Sequence, residues 1–277
     1  MQDLGRPRYA HLGISASGAA DAVSLRAGNL LCGNPEGAAA LEMTLAGGVF
    51  EFESAAVVAL TGSDFGSNIA RWTAVEVKGG TRVECGHTKS GARAYLCVRG
   101  GIHVPPVLGS ASTHLLTGIG GFEGRALKRG DRLAVGEATA GPPLRSAIEP
   151  PKPHPRIRVT SQRAVPEFFE SSWQVKESSD RMGLRLQGPA LSGHTGHMLT
   201  EGVPLGAVQV PPGGQPIILF VEHQTTGGYP KIANVISADF HALGQLRPRD
   251  HVRFEPVTIE TALRLLRAQE DWLRALA

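Results

Sequence analysis

Apolar residues along this chain come in short runs, most of them too brief for a helix and bounded by glycine, proline or polar turns. Runs at 49–52, 56–60, 75–77, 94–98, 157–159, 184–186, 207–210, 217–221 and 232–236 alternate or are continuously apolar over strand-like lengths, which predicts β-strands. Helical periodicity is rare. Asp21 stands where it can cap a helix over residues 22–31, and Cys32-Gly33-Asn34-Pro35 supplies the stop. Ser161 is placed to cap a short helix containing Val165, Phe168 and Phe169. The clearest helical stretch covers 258–276, with Thr258 as cap and Ile259, Ala262, Leu263, Leu266, Trp272 and Leu276 on one face. The pattern predicts a mainly β chain with few helices.

The chain also divides. Residues 138–155 carry six prolines, which fix φ and remove donors, so an extended linker is expected at 141–155 between an N-terminal β domain (1–140) and a C-terminal β domain with a terminal helix (156–277). The two halves echo each other weakly: Leu127-Lys128-Arg129-Gly130-Asp131-Arg132-Leu133-Ala134-Val135 closes the first, and Leu246-Arg247-Pro248-Arg249-Asp250-His251-Val252-Arg253-Phe254 closes the second. Each reads as a turn followed by a strand, which suggests two units of related plan.

Composition narrows the function classes. With 42% apolar and 19% charged residues, 35 glycines and 19 prolines, the chain fits a globular, turn-rich protein able to bury a sizeable core. A net charge of +3 without basic runs does not indicate nucleic acid. Cys32, Cys85 and Cys97 are odd in number and widely spaced, fitting neither a disulfide framework nor a zinc knuckle and favouring a reducing, cytoplasmic setting. No apolar stretch reaches the length of a membrane span, and the N-terminus is polar.

Four stretches carry candidate chemistry. Gln224-Thr225-Thr226-Gly227-Gly228-Tyr229-Pro230-Lys231 lies between two predicted strands and sets hydroxyls, paired glycines, a phenol and an ammonium side by side. Paired glycines let backbone N–H groups turn toward a ligand, and the lysine adds a point charge suited to carbonyl, carboxylate or phosphate oxygens. A glycine-rich connection between strands would explain the glycines equally well, but not Thr-Thr, Tyr and Lys together. In the second stretch, Ser17 and Asp21 lead into a helix bearing Asn29, an anion-friendly helix start for which plain capping is the simpler account. In the third, Arg99 followed by Gly100-Gly101 can clamp a carboxylate or be a solvated arginine on a bulged turn. The fourth, Ser178-Ser179-Asp180-Arg181-Met182-Gly183, places acid and base together, as a surface turn with a local ion pair also would.

Several motifs are missing. There is no P-loop and no His-Glu-x-x-His, and Gly13-Ile14-Ser15-Ala16-Ser17-Gly18 lacks the second glycine of a nucleophile elbow. His194 and His197 are spaced like a metal pair but have no evident third ligand, so no metal is expected. No Met-Lys dipeptide occurs, so the chain is not itself a biotin carrier of the usual kind.

Gln2-Asp3-Leu4-Gly5-Arg6, Ser17-Gly18-Ala19-Ala20-Asp21, Leu41-Glu42, Thr61-Gly62, Arg99-Gly100-Gly101, Ser179-Asp180-Arg181-Met182-Gly183 and the 224–231 segment together resemble the family of the prokaryotic 5-oxoprolinase C subunit. The family is also called allophanate hydrolase subunit 2 or biotin-dependent carboxyltransferase-like, and the likeness covers nearly the whole chain. It implies two cyclophilin-like β-barrel domains and a complex with the B subunit of 5-oxoprolinase. Together with the A subunit, that complex opens 5-oxoproline to glutamate using ATP. Related domains transfer carboxyl groups from biotin in urea carboxylase, and one relative regulates a sporulation kinase. The resemblance also implies a further strand ahead of Gln2, whose loss would leave an unpaired edge and weaken the first barrel. Glu222-His223 stands where Asp-Arg or Asp-His is common, keeping the charge on a longer arm.

The reading is an ATP-dependent cyclic-amide hydrolase subunit, active only with B-type and A-type partner subunits. Lys231, Asp180 and Arg99 are the candidate catalytic residues, and Gln224, Thr225, Thr226, Gly227, Tyr229, Arg181, Ser17 and Asn29 the candidate substrate-binding ones. ATP, bound on or shared with a partner, would activate the lactam oxygen while oriented donors stabilise developing negative charge. The alternatives are a carboxyltransferase component fed by carboxybiotin, and a non-catalytic regulatory partner.

Overall fold

The computed structural model describes residues 1–138, 141–144, 146–152, 154–161, 165–196 and 198–277. The chain is mainly β, with helices making up 17% of it, well below the usual third. It forms two compact units: Met1–Arg6, Ser17–Lys152 and Asp271–Ala277 make the first, and Pro7–Ala16 with Pro153–Glu270 the second.

In the first unit, α1 (Ala22–Leu31) precedes β1 (Leu41–Thr44), β2 (Val49–Glu51), β3 (Ala56–Asp64), β4 (Ala74–Val77), β5 (Arg82–Glu84), β6 (Ser90–Val98), β7 (Ile102–His103) and β8 (Ala134–Val135). One antiparallel sheet has the order β1-β6-β3-β4, while β2 pairs with β5 and β7 with β8. The inward residues of these strands (Leu41, Met43, Val58, Leu60, Val83, Leu96) meet in one core, as alternation demands of a sheet with one buried face. Asp21 caps α1 as expected, accepting the Ser24 N–H at 2.9 Å, and Gly33 leaves the helix at φ +70°, the left-handed conformation that glycine adopts without a Cβ penalty. The three cysteines are free and buried, and burial pushes the Cys32 thiol up to about 12. Part of the proline-rich segment hydrogen-bonds within this unit: Leu144 N–H donates to Leu31 O and Ile148 N–H to Trp72 O.

The second unit contains β9 (Ile157–Thr160), α2 (Pro166–Glu170), β10 (Trp173–Val175), β11 (Gly183–Gln187), β12 (Glu201–Gly202), β13 (Ala207–Gln209), β14 (Ile217–Leu219), β15 (Thr226–Gly227), β16 (Lys231–Val235), α3 (Phe240–Gly244), β17 (His251–Val252), β18 (Phe254–Pro256) and the start of α4 (Ile259–Arg274). Eight strands form one sheet in the order β17-β10-β11-β14-β13-β16-β9-β18. All pairs are antiparallel except β9 with β18. The two edges, β17 and β18, follow each other in the chain across Arg253, so one segment serves both margins and the sheet is a nearly closed barrel. Phe168, Trp173 and Phe254 fill its aromatic core, Phe168 stacking on Phe254 with ring centroids 4.3 Å apart.

Two expectations are corrected. Ser161 does not cap α2: its hydroxyl donates to Ile232 O, and the helix begins with Pro166 at its first position and no side-chain cap, where a proline loses no hydrogen bond. The amphipathic helix exists, capped by Thr258, whose hydroxyl accepts the Thr261 N–H at 3.2 Å. Its Leu263 is 47% exposed and Ile259 62% exposed; the fully buried residue is Leu273, packed with Ala27, Leu30 and Trp72 in the first unit. The internal echo has a structural counterpart. Asp131 Oδ2 accepts the Lys128 N–H at 2.7 Å, and Asp250 Oδ2 accepts the Arg247 N–H at 2.8 Å, so the same aspartate-closed turn precedes β8 and β17.

Candidate functional site

The candidate residues fall into two groups, one in each unit. In the first, Arg99 follows β6 and its Nη1 donates to Cys32 O at 3.0 Å and Gly141 O at 2.9 Å. A cation on a carbonyl at the end of α1 is a helix C-terminal contact. Asn29, fully buried on α1, donates to Glu36 O and Ala38 O and accepts from Asn34, so its amide organises the turn after the helix. Ser17 is buried with φ +55°, just ahead of the α1 cap.

In the second unit, two of the four stretches come together. The 178–183 turn leads into β11, and the 224–231 segment joins β14 to β16 through the short strand β15. Arg181 Nε donates to Glu222 Oε1 at 2.5 Å, and the Glu222 N–H donates to Arg181 O at 2.8 Å. The pair joins a half-buried arginine to a buried glutamate, with side-chain exposures of 16% and 5%, which ties the acid–base turn to the base of the glycine loop. Asp180 is exposed, and its Oδ1 accepts the N–H groups of Met182 and Gly183 at 2.8 and 3.1 Å. That closes the turn in the manner of an Asx motif.

The loop itself is anchored along its length. β15 pairs with β12, setting Gly227 opposite Glu201 and Thr226 opposite Gly202. Thr225 O accepts from Val203 N–H, Gly228 O from Met198 N–H, and Pro230 O from Val210 N–H. Tyr229 is half-buried. Lys231 opens β16, its Nζ 2.8 Å from Glu201 Oε1. Gln224 Nε2 donates to Gln209 Oε1 at 3.3 Å. Gln209 ends β13, next to a bulge, and is the register partner of Lys231. A Cβ on Gly227 would stand 2.6 Å from Gln209 Nε2, so a larger residue there would require the Gln209 amide to shift. Glu201 and Gln209 were not among the sequence-derived candidates. For Gln209 the available signal is a carboxamide inside the otherwise apolar run Ala207-Val208-Gln209-Val210.

The arrangement brings one ammonium and two carboxamides to neighbouring positions on β13, β16 and the glycine loop, a set of donors suited to a carbonyl or an oxyanion. Among the described residues no group of three or more His, Cys, Asp or Glu side chains is placed to hold a metal; His197 lies outside the described residues. No helix among them is long and apolar enough to cross a membrane.

His223, one residue before Gln224, is held below its ordinary value by burial, against a smaller opposing pull from its 2.6 Å contact between Nδ1 and Gln224 O. For a base with a lowered folded-state value, the unfolded chain protonates first as pH falls. Stability is therefore complete above the reference value of 6.5 and declines as pH drops through it toward the folded-state value. The fall in melting temperature between about pH 7.5 and pH 5.5 should be shallower in His223→Asn than in the wild type. Parallel curves would exclude this histidine as the source.

The chain matches the family described as carboxyltransferase domain, subdomain A and B, over residues 12–256. It is 40% identical to the 5-oxoprolinase C subunit of Escherichia coli (strain K12), covering 100% of this chain and 94% of that protein. To the 5-oxoprolinase C subunit of Haemophilus influenzae it is 39% identical, over 99% and 93% of the two chains. Among solved structures, the K. lactis urea amidolyase superposes with a TM-score of 0.91 at 30% identity; all of this chain is covered, but only 19% of the amidolyase. Its barrel topology, its paired Asp-Arg and glycine-loop motifs and these full-length matches agree: the chain belongs to the carboxyltransferase-domain family that includes the 5-oxoprolinase C subunit.

Proposed function

We propose that the chain is the C-type component of a cytoplasmic, ATP-dependent complex that opens 5-oxoproline to glutamate, acting with B-type and A-type partner subunits. The observation that carries this reading is the 40% identity to a 5-oxoprolinase C subunit along the whole chain. Lactam hydrolysis develops negative charge on the former carbonyl oxygen, and oriented donors at that position are the usual source of rate enhancement. Lys231 Nζ and the carboxamides of Gln224 and Gln209 supply such donors within one unit. Among the described candidates, Lys231 meets Glu201, Arg181 meets Glu222, and Arg99 donates to two main-chain carbonyls. The reading puts ATP on a partner or shared with one, and no step on this chain is routed through it.

A second reading has its own support. The matching family is named for carboxyl transfer, and the urea amidolyase superposes closely, so the same donors could receive a carboxyl group from carboxybiotin carried on another protein.

Reconstitution separates these. The complete set of subunits should convert 5-oxoproline to glutamate with ATP hydrolysis. This chain alone should show no turnover, and omitting it should abolish the reaction. Undiminished glutamate formation without the chain would make it a regulatory partner, and robust turnover by the chain alone would remove the partner requirement. Carboxylation of an acceptor from carboxybiotin, without glutamate formation, would select the second reading.

A further inference from the structure

Gln209 carries an unspent donor. The residue is 2% exposed, and among the described residues its Nε2 has no hydrogen-bond partner. Leaving a buried donor unmade costs free energy, and an unmade donor beside the glycine loop calls for a physical explanation, of which a bound acceptor is one. The amide's other end is weakly held, since Oε1 accepts from Gln224 at a long 3.3 Å. Above it lies Gly227, whose missing Cβ allows the backbone to sit against Nε2. The segment carrying Gly227 pairs with β12 over two residues and is held on either side by Val203 N–H to Thr225 O and Met198 N–H to Gly228 O. Lys231 is the register partner of Gln209 across β13 and β16, and directly opposed residues of an antiparallel pair leave the same face.

We propose that Gln209 recognises the ring amide of a cyclic amide or cyclic urea. The proposal rests on, and deepens, the lactam reading above. A primary carboxamide presents a donor and an acceptor side by side. In a five-membered lactam the C=O and N–H are held cis, on the same side, so the ring carbonyl accepts from Nε2 while the ring N–H donates to Oε1. An open-chain secondary amide is trans, with the two groups pointing apart, and makes only one of these bonds. Ring binding displaces Gly227 from the amide and replaces the long Gln224 contact. Glutamate, the opened product, has no such pair and leaves. The ureido ring of biotin shares the cis C=O and N–H, so both sources of this chemistry belong in the test.

The test uses the purified full chain, titrated with 5-oxoproline, biotin and glutamate by ligand-observed NMR, with melting temperatures measured in parallel. The wild type should bind 5-oxoproline at least about tenfold more tightly than glutamate, and Gln209→Met should lose about tenfold or more of that affinity. The melting temperature of Gln209→Met should be unchanged or raised, because an apolar side chain of similar shape removes the unmade donor. Gln209→Asn, too short to reach, should show the same loss of binding if the methionine variant fails to fold. Equal ring affinity in the wild type and a folded Gln209 variant would overturn the assignment while leaving the lactam reading intact. Binding of biotin but not 5-oxoproline, lost on substitution, would uphold the role of Gln209 and remove the 5-oxoproline reading. Binding of neither ring by the wild type, alone and in the reconstituted complex, would overturn both.

Discussion

Replacing Lys231 with methionine is expected to lower turnover of the assembled complex by about two orders of magnitude, the effect of removing one oxyanion donor. The chain itself should stay folded. Lys231 Nζ is 2.8 Å from Glu201 Oε1, but the two side chains are 24% and 48% exposed, and a pair in that setting contributes about 1 kcal/mol or less. Binding and stability are therefore separable at this residue. Lys231→Arg should rescue poorly, because a planar fork does not reproduce a compact ammonium whose position is set by the first residue of β16. Turnover, melting temperature and co-elution with partner subunits, measured on the same preparations, decide the matter. Near-wild-type turnover of Lys231→Met would reduce the loop to a connection between strands.

Arg181→Met is expected to act in the opposite way, through stability. Glu222 has a side-chain exposure of 5% and meets Arg181 Nε at 2.5 Å. Removing one partner of a buried pair leaves a carboxylate uncompensated and typically costs about 3–5 kcal/mol. The loss should appear as a lowered denaturation midpoint and, because the pair ties the 178–183 turn to the glycine loop, as faster proteolysis near residues 222–228. Arg181→Met combined with Glu222→Leu should recover much of the stability, since an apolar pair of similar volume removes the stranded charge. A single variant as stable as the wild type would show that the pair is not what holds these segments.

Strands were legible because their apolar runs are short and rich in β-branched residues, as at Ile157-Arg158-Val159 and Ile217-Ile218-Leu219. The amphipathic α4 was legible from its period, but a period tells which face is apolar and not what covers it, hence the exposure of Leu263. The glycine loop stood out by composition. Its partners did not: Glu201 reaches Lys231 and Gln209 reaches Gln224 across a fold whose register no local pattern specifies. Arg99 shows the converse limit. Its identity suggests a carboxylate clamp, yet the atoms it meets are carbonyls at residues 32 and 141, a match set by tertiary packing and invisible in the flanking residues.

The barrel of the second unit keeps both its margins in one stretch, His251–Val252 on one side of Arg253 and Phe254–Pro256 on the other. During synthesis β9 waits for a parallel mate that is made nearly a hundred residues later, and β10 waits for β17. Long-range closures of this kind are slow to form, and unpaired strand edges invite other chains. A chain that ends before residue 251 therefore leaves the outer edges of β10 and β9 both unpaired, and one that extends through residue 256 pairs both. Chains truncated before residue 251 should therefore aggregate more readily than chains that reach residue 256.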